Sequence, residues 1–233
     1  MTPMLPAGIA TPAYVIDAAA LERNMATAAR IKRETGAKVL LATKSFALPA
    51  VFPMMRQTLD GTTASGEYEA RLGKETFGKE VHVYAPAFSD IEVRNLLDLA
   101  DHIYFNSASQ LTRFLPVVKA AGGQGSRKHV GIRVNPGYSN ATLGGPLYDP
   151  CAPCSRFGAT RDTLEAMPWD DIDILHTHAL CESLHDGSVG LIQHVARELG
   201  QFVRKVGAVN FGGGHFVNKP GYDVSKLITA IKA

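Results

Sequence analysis

The run Val39-Leu40-Leu41-Ala42-Thr43-Lys44 is a short apolar stretch that closes on a lysine, and segments of a different periodicity flank it. Upstream, residues 18–34 carry Leu21, Met25, Ala28 and Ile31 at helical spacing, with Asp17 placed to cap the first turn and Gly36 just past the last. The alternation then recurs. β-rich runs fall at 38–43, 61–64, 81–85, 102–106, 129–135, 173–179 and 208–213, with helix-like stretches at 68–73, 89–99, 109–121, 187–206 and 224–232. Strand and helix patterns that alternate along a whole chain build a parallel sheet with helical crossovers. A further strand-like run lies at 13–16. The predicted fold is α/β, a (β/α)8 barrel domain over 1–233. It is expected to be incomplete, because the sequence stops at Ala233 where an eighth barrel strand should begin, leaving an open sheet edge prone to association.

Composition narrows the function. The chain has 233 residues, 45% hydrophobic and 20% charged, which suits a globular domain and excludes fibrous or disordered classes. Lys plus Arg number 24 against 22 Asp plus Glu, a net +2 without a run of like charge, so neither nucleic acid nor an anionic membrane is the expected partner. No apolar run approaches the roughly 20 residues of a membrane helix. The amino terminus lacks a basic region followed by an apolar one, so no targeting segment is read and a cytoplasmic location is expected. Three cysteines, an odd number, fit a reducing compartment. A small-molecule site is the default expectation.

In such barrels reactive groups gather where the strands' carboxyl ends meet the following loops. Those ends carry Lys44, Ser65, Arg133, His176 with His178, and Gly212-Gly213-Gly214-His215. A lysine among apolar strand residues is desolvated, which frees its amine for Schiff-base chemistry, although a surface lysine after a strand reads the same way. Three consecutive glycines leave amides open to a phosphate, or simply make a tight turn. His176 and His178, two apart, share one side of a strand. They suit a metal pair, a ring stacked on an aromatic cofactor, or two satisfied structural histidines. Cys151-Ala-Pro-Cys154 is half of a zinc motif without its second half, so no metal site is expected. Gly73 to Lys79 has P-loop glycine spacing, but Glu80 stands where a hydroxyl is needed and a strand follows rather than precedes it. The irregular stretch 136–157 is long enough to be a functional loop.

Taken together, these residues resemble the alanine racemase-like fold-type III pyridoxal phosphate enzymes. TPAYVID (11–17), LLATKSFA (40–47), TTASGEYEARLG (62–73), IRVNPGYS (132–139), DPCAPCSRFG (149–158), LHTHALCES (175–183) and NFGGGH (210–215) resemble the carboxynorspermidine/carboxyspermidine decarboxylase family more closely. That resemblance implies a pyridoxal 5'-phosphate-dependent carboxy-lyase that makes norspermidine or spermidine in polyamine biosynthesis. It implies Lys44 as the covalent anchor of the cofactor and His178 stacked on its ring. Gly212, Gly213 and Gly214 would then hold the phosphate, Arg133 would lie by the phenolic oxygen, and Ser65 and Glu69 would frame the site. His176, Cys181 and Glu182 are candidates to face a polyamine substrate. The family also implies an eighth strand carrying Glu-Pro-Gly and a carboxyl-terminal β-domain within a homodimer, neither of which occurs in this sequence. Residues 13–16 would then lack sheet partners, and the chain alone is expected to be impaired. Phe157 departs from the Leu usual in the family's Ser-Arg-Leu-Gly stretch.

Three other readings compete. One is a diaminopimelate, ornithine or arginine decarboxylase or a racemase of the same fold; His178-Ala-Leu-Cys-Glu182 argues for the polyamine branch instead. The second is a non-catalytic pyridoxal phosphate carrier, which matches in length but not in motifs. The third is a metal-dependent barrel hydrolase built on His176 and His178.

Overall fold

A computed structural model of the chain describes residues 8–122, 127–140 and 148–233. Its elements run α1 (Ala18–Thr35), β1 (Leu40–Ala42), a 3-10 turn (Pro49–Val51), α2 (Phe52–Met55), β2 (Gly61–Ala64) and α3 (Glu67–Leu72), which continues as a π-turn (Gly73–Phe77). Next come β3 (Glu80–Tyr84), α4 (Asp90–Leu99), β4 (His102–Phe105), α5 (Ala108–Gly122), β5 (His129–Arg133) and α6 (Arg161–Leu164). After a second 3-10 turn (Trp169–Asp171) follow β6 (Ile174–His176), α7 (His185–Glu198), α8 (Gly200–Val203), β7 (Ala208–Asn210) and α9 (Val224–Lys232). The seven strands form one parallel sheet in chain order.

Each strand presents alternate residues to opposite faces. The outer face is apolar: Val81, Val83, Ile103, Phe105, Val130, Ile132 and Leu175 pack with Leu96, Leu111, Phe114, Leu191 and Val195 of the covering helices. The inner face is polar, which is unusual because barrel interiors are dominated by branched aliphatic residues. Register stacks it in layers. His82, His102 and His129 lie side by side, Tyr84 pairs with Tyr104 and Tyr104 with Gly131, and Arg133, His176 and Asn210 form a layer nearer the strands' carboxyl ends. Gly131 has no alternative here, since a Cβ would fall onto the Tyr104 ring.

Among the described residues β1 and β7 are the two sheet edges, and the helices beside them meet. Ile31 of α1, Ile192 of α7, and Leu227 and Ile228 of α9 share one buried cluster, and Arg30 donates to Ser225 Oγ at 2.9 Å. The sheet is thus curled far enough for its first and last helices to pack. Asp17 and Asp223 cap α1 and α9 as N-terminal acceptors, and a capping box of Ser89 and Glu92 starts α4.

Two expectations are corrected. Residues 13–16, read as a strand, form none and belong to no ladder among the described residues, in line with the expected lack of sheet partners, and Tyr14 is 98% exposed. The single helix expected over 187–206 is two, because Leu199 adopts φ −115°, ψ 7° and ends α7 before α8. The glycine-spaced segment 73–79, set aside as a phosphate loop on its sequence, is a π-turn with buried Phe77, closed by left-handed Gly78. Part of the long loop, 141–147, lies outside the described residues.

Ile228, 6% exposed, holds the meeting of the first and last helices. Truncation by Ile228→Ala is expected to lower the unfolding free energy by about 2–4 kcal/mol, read from urea denaturation.

Candidate active site

Arg133 ends β5 with its guanidinium buried at the carboxyl ends of the strands. Nη1 donates to Tyr84 Oη at 2.7 Å and Nη2 to the His178 carbonyl at 2.9 Å. The group lies against two rings, 4.7 Å from the Tyr84 centroid and 4.6 Å from that of Phe157. Tyr84 in turn donates to Asn106 Oδ1 at 2.7 Å. Asn106 accepts there from the Gly158 N–H and donates to the Arg156 carbonyl, each at 2.8 Å. One guanidinium therefore connects β3, β4, the 156–158 loop and the segment after β6. Among the described residues no carboxylate pairs with it. A guanidinium has five donors, so three N–H groups remain for a ligand.

The two histidines after β6 differ. His176 is buried between Tyr84 and Tyr104, whose rings meet it edge-on at 5.3 and 5.1 Å, and its Nδ1 has no hydrogen-bond partner. Burial above all holds it well below the usual imidazole pKa, helped by the charges of His178, Arg133, His82 and Lys44. His178 stands 6.2 Å from it between centroids. Burial, then Arg133, Lys44 and His215, push its pKa down to about 3. At neutral pH His178 is thus an uncharged flat ring beside two cations. No carboxylate converges on this pair among the described residues, so the metal-hydrolase reading loses its donor set.

The glycine loop lies directly against His178. At Gly212, φ 72°, a Cβ would stand 2.7 Å from the His178 Cβ and from the Thr177 carbonyl oxygen; at Gly214, φ 87°, it would strike the Leu180 carbonyl. Only glycine combines that backbone with that proximity. The Gly212 N–H is already given to Asn210 Oδ1 at 2.8 Å, which corrects the expectation that all three amides face a phosphate. The amides of Gly213 and Gly214 make no hydrogen bond among the described residues. A Cβ on Gly213 would sit 3.5 Å from the His178 ring, so the open amides and the ring border the same space.

Lys44 lies in the turn two residues beyond β1 and is exposed, so the expected desolvation among strand residues is not found. Its charge nevertheless reaches both His176 and His178, which places it over the same mouth. Ser65 is exposed at the end of β2, where its N–H donates to Glu69 Oε2 at 3.0 Å, and Thr43 Oγ1 donates to the same oxygen at 2.8 Å. Glu69 therefore ties the ends of β1 and β2. Cys181 and Glu182 lie on a segment fixed by the Ser183 N–H to the Gly214 carbonyl at 2.7 Å. Glu182 is exposed with φ 48°, and neither side chain hydrogen-bonds or ion-pairs with the other candidates among the described residues. Tyr84, Asn106 and Phe157 were not anticipated. The alternation Glu80-Val-His-Val-Tyr84 in a parallel strand was the available signal, since polar residues every second position mark an inward face.

No known family model matches the chain. Over 224 residues it is 37% identical to the carboxynorspermidine/carboxyspermidine decarboxylase of Campylobacter jejuni, covering 96% of this chain and 56% of that protein. The chain is a relative of these decarboxylases. It is also 35% identical over 221 residues to the carboxyaminopropylagmatine decarboxylase of Synechocystis, covering 95% of the chain and 55% of that protein. The crystal structure of the Campylobacter jejuni carboxynorspermidine decarboxylase complexed with norspermidine superimposes with a TM-score of 0.83 at 34% identity, over 96% of this chain and 56% of that one. The chain thus spans little more than half the length of these relatives, and its seven strands correspond to an incomplete (β/α)8 barrel. No helix among the described residues is long and apolar enough to cross a membrane.

His178 binds no proton in the fold until about pH 3 but titrates near 6.5 when unfolded, so it destabilises the fold as pH falls through that window. The His178→Gln variant is expected to lose up to one proton's share of the pH dependence, about 1.4 kcal/mol per pH unit at most, in urea titrations compared between pH 4 and 6.

Proposed function

We propose that this barrel is the cofactor-binding part of a pyridoxal 5'-phosphate-dependent decarboxylase acting on a carboxylated polyamine such as carboxynorspermidine or carboxyspermidine. The observation that carries the reading is the mouth around Arg133. A buried guanidinium without a carboxylate, the Lys44 ammonium, two unengaged amides and a neutral imidazole border one space. An anionic aromatic phosphate suits each of these groups, and the residues present fit it. The similarity to decarboxylases of carboxylated polyamines supports the substrate class. The three cysteines are free thiols, in keeping with a cytoplasmic setting, and the full-length protein is inferred to work as a homodimer with its polyamine substrate.

The roles follow from position. Lys44 would hold the cofactor aldehyde through its amine and would supply a base at Nζ. Gly213 and Gly214 offer N–H donors to the phosphate, at the strand position where barrels commonly hold one. His178 provides a flat uncharged face, kept neutral by burial and by Arg133. Arg133 has N–H groups left for the phenolic oxygen. When bound, pyridoxal phosphate supplies an electron sink that makes loss of carbon dioxide from the substrate's α-carbon feasible. The polar barrel interior below the site and the Tyr84–Asn106 clamp hold this constellation rigid.

Borohydride reduction of the protein with pyridoxal phosphate, followed by peptide mapping, is expected to mark Lys44 selectively. Lys44→Ala is expected to lose the mark and to lower carbon dioxide release from carboxynorspermidine by roughly 10²–10⁴-fold or more. Scattered labelling with no preference for Lys44 contradicts the reading. The relative from Synechocystis favours a guanidino substrate as a second possibility, and competition between carboxynorspermidine and carboxyaminopropylagmatine separates the two.

A further inference from the structure

At the opposite end of the barrel, where β3 and β4 begin, three potential metal ligands converge. The donor atoms of Glu80, His82 and His102 lie within 4.8 Å of one another. Glu80 Oε2 is 3.2 Å from His82 Nε2 and 3.7 Å from His102 Nε2. Donors bound at 2.0–2.1 Å in a tetrahedron lie about 3.4 Å apart, so these separations suit a shared ion once the rings reorient.

The remaining atoms of the cluster are arranged as an outer shell. Glu80 gives its other oxygen, Oε1, to Lys38 Nζ at 2.5 Å, leaving Oε2 for a single bond. His82 Nδ1 is held by Tyr104 Oη at 2.8 Å, which orients the ring with Nε2 toward Glu80. Metal-bound histidines are usually fixed in this way through their second nitrogen. His102 is the anomaly. It is 8% exposed, its Nδ1 is buried without a partner, and its Nε2 makes no hydrogen bond among the described residues. The Nε2 that faces Glu80 is thus left open for a ligand, while Nδ1 remains a buried donor or acceptor without a partner.

We propose that Glu80, His82 and His102 form a binding site for a divalent transition metal ion, with zinc the leading candidate, that ties β3 to β4 at the base of the barrel. Two imidazoles and one carboxylate suit zinc, cobalt or nickel and disfavour magnesium and calcium. His82 and His102 stack at 3.8 Å, only 11° from parallel, so capture requires their rings to splay. His82 is pinned by Tyr104, whereas His102, free of hydrogen bonds, is the ring that turns. Both are kept uncharged at neutral pH, chiefly by burial, as ligands must be. His129 stacks on the far side of His102 at 4.7 Å but faces Asp173 at 3.6 Å, so it is not a ligand. An open cleft of about 350 Å³ lined by Lys74, Gly78, Lys79, Glu80 and Asp101 leads to Glu80 from solvent. The site is independent of the reaction assigned to the mouth.

The test is calorimetric titration of the chelator-treated protein with zinc, repeated with cobalt to read ligand type from its absorption, alongside thermal melts. One equivalent per chain without a thiolate charge-transfer band, and a raised melting temperature, are expected. His102→Gln should weaken binding by more than the roughly 10–100-fold that outer-shell partners are worth, and Tyr104→Phe should fall within that range. Because His102 stacks between His82 and His129, the metal-free His102→Gln variant serves as its own melting baseline, and zinc is expected to leave that baseline unmoved. Absence of a one-to-one site overturns the proposal. So does zinc binding that survives His102→Gln but disappears when Cys151 and Cys154 are both replaced by Ser.

Discussion

A buried guanidinium organises the mouth of this barrel. Arg133 has no carboxylate among the described residues, and the protein accommodates its charge with a phenol oxygen, a backbone carbonyl and two aromatic faces. Removing such a charge from water costs several kcal/mol unless other groups replace the hydration. Those partners come from three separate segments, so the arginine sets the relative positions of β3, the 156–158 loop and the segment after β6. The same charge helps keep His178 neutral and, with Lys44, leaves the mouth electropositive. Positioning, electrostatics and ligand preference thus share one origin.

The barrel divides into an apolar outside and a polar inside, and each serves a different purpose. Apolar residues on the outer strand faces pack against the covering helices in one buried cluster. The inner layers of His, Tyr, Asn and Arg place titratable groups along the barrel axis at fixed register. At one end they meet the loops and build the ligand site; at the other they form the Glu80–His82–His102 cluster. A parallel sheet makes this possible because every strand points the same way, so each end of the barrel collects one kind of terminus.

Much of this was legible in the sequence. Lys44, Ser65, Arg133, His178 and the glycines each follow an apolar run, and in a parallel barrel that position alone brings them to one mouth. What escaped depends on partners distant in sequence. The clamp of Tyr84 and Asn106 requires the register of two strands and the path of the 156–158 loop, and the Asn210 bond to the Gly212 amide is a local turn invisible to spacing. Residues 13–16 have strand-like composition and join no ladder among the described residues, as their expected lack of sheet partners implied. The break at Leu199 depends on its backbone angles and not on the apolar pattern around it.

Hydrogen exchange measured by mass spectrometry on the Arg133→Met variant tests the central role of that guanidinium most directly. Faster exchange is predicted in 154–160 and 177–184, with 80–83 and 102–105 unchanged. Exchange in the two mouth segments equal to that of the unaltered protein would contradict the account.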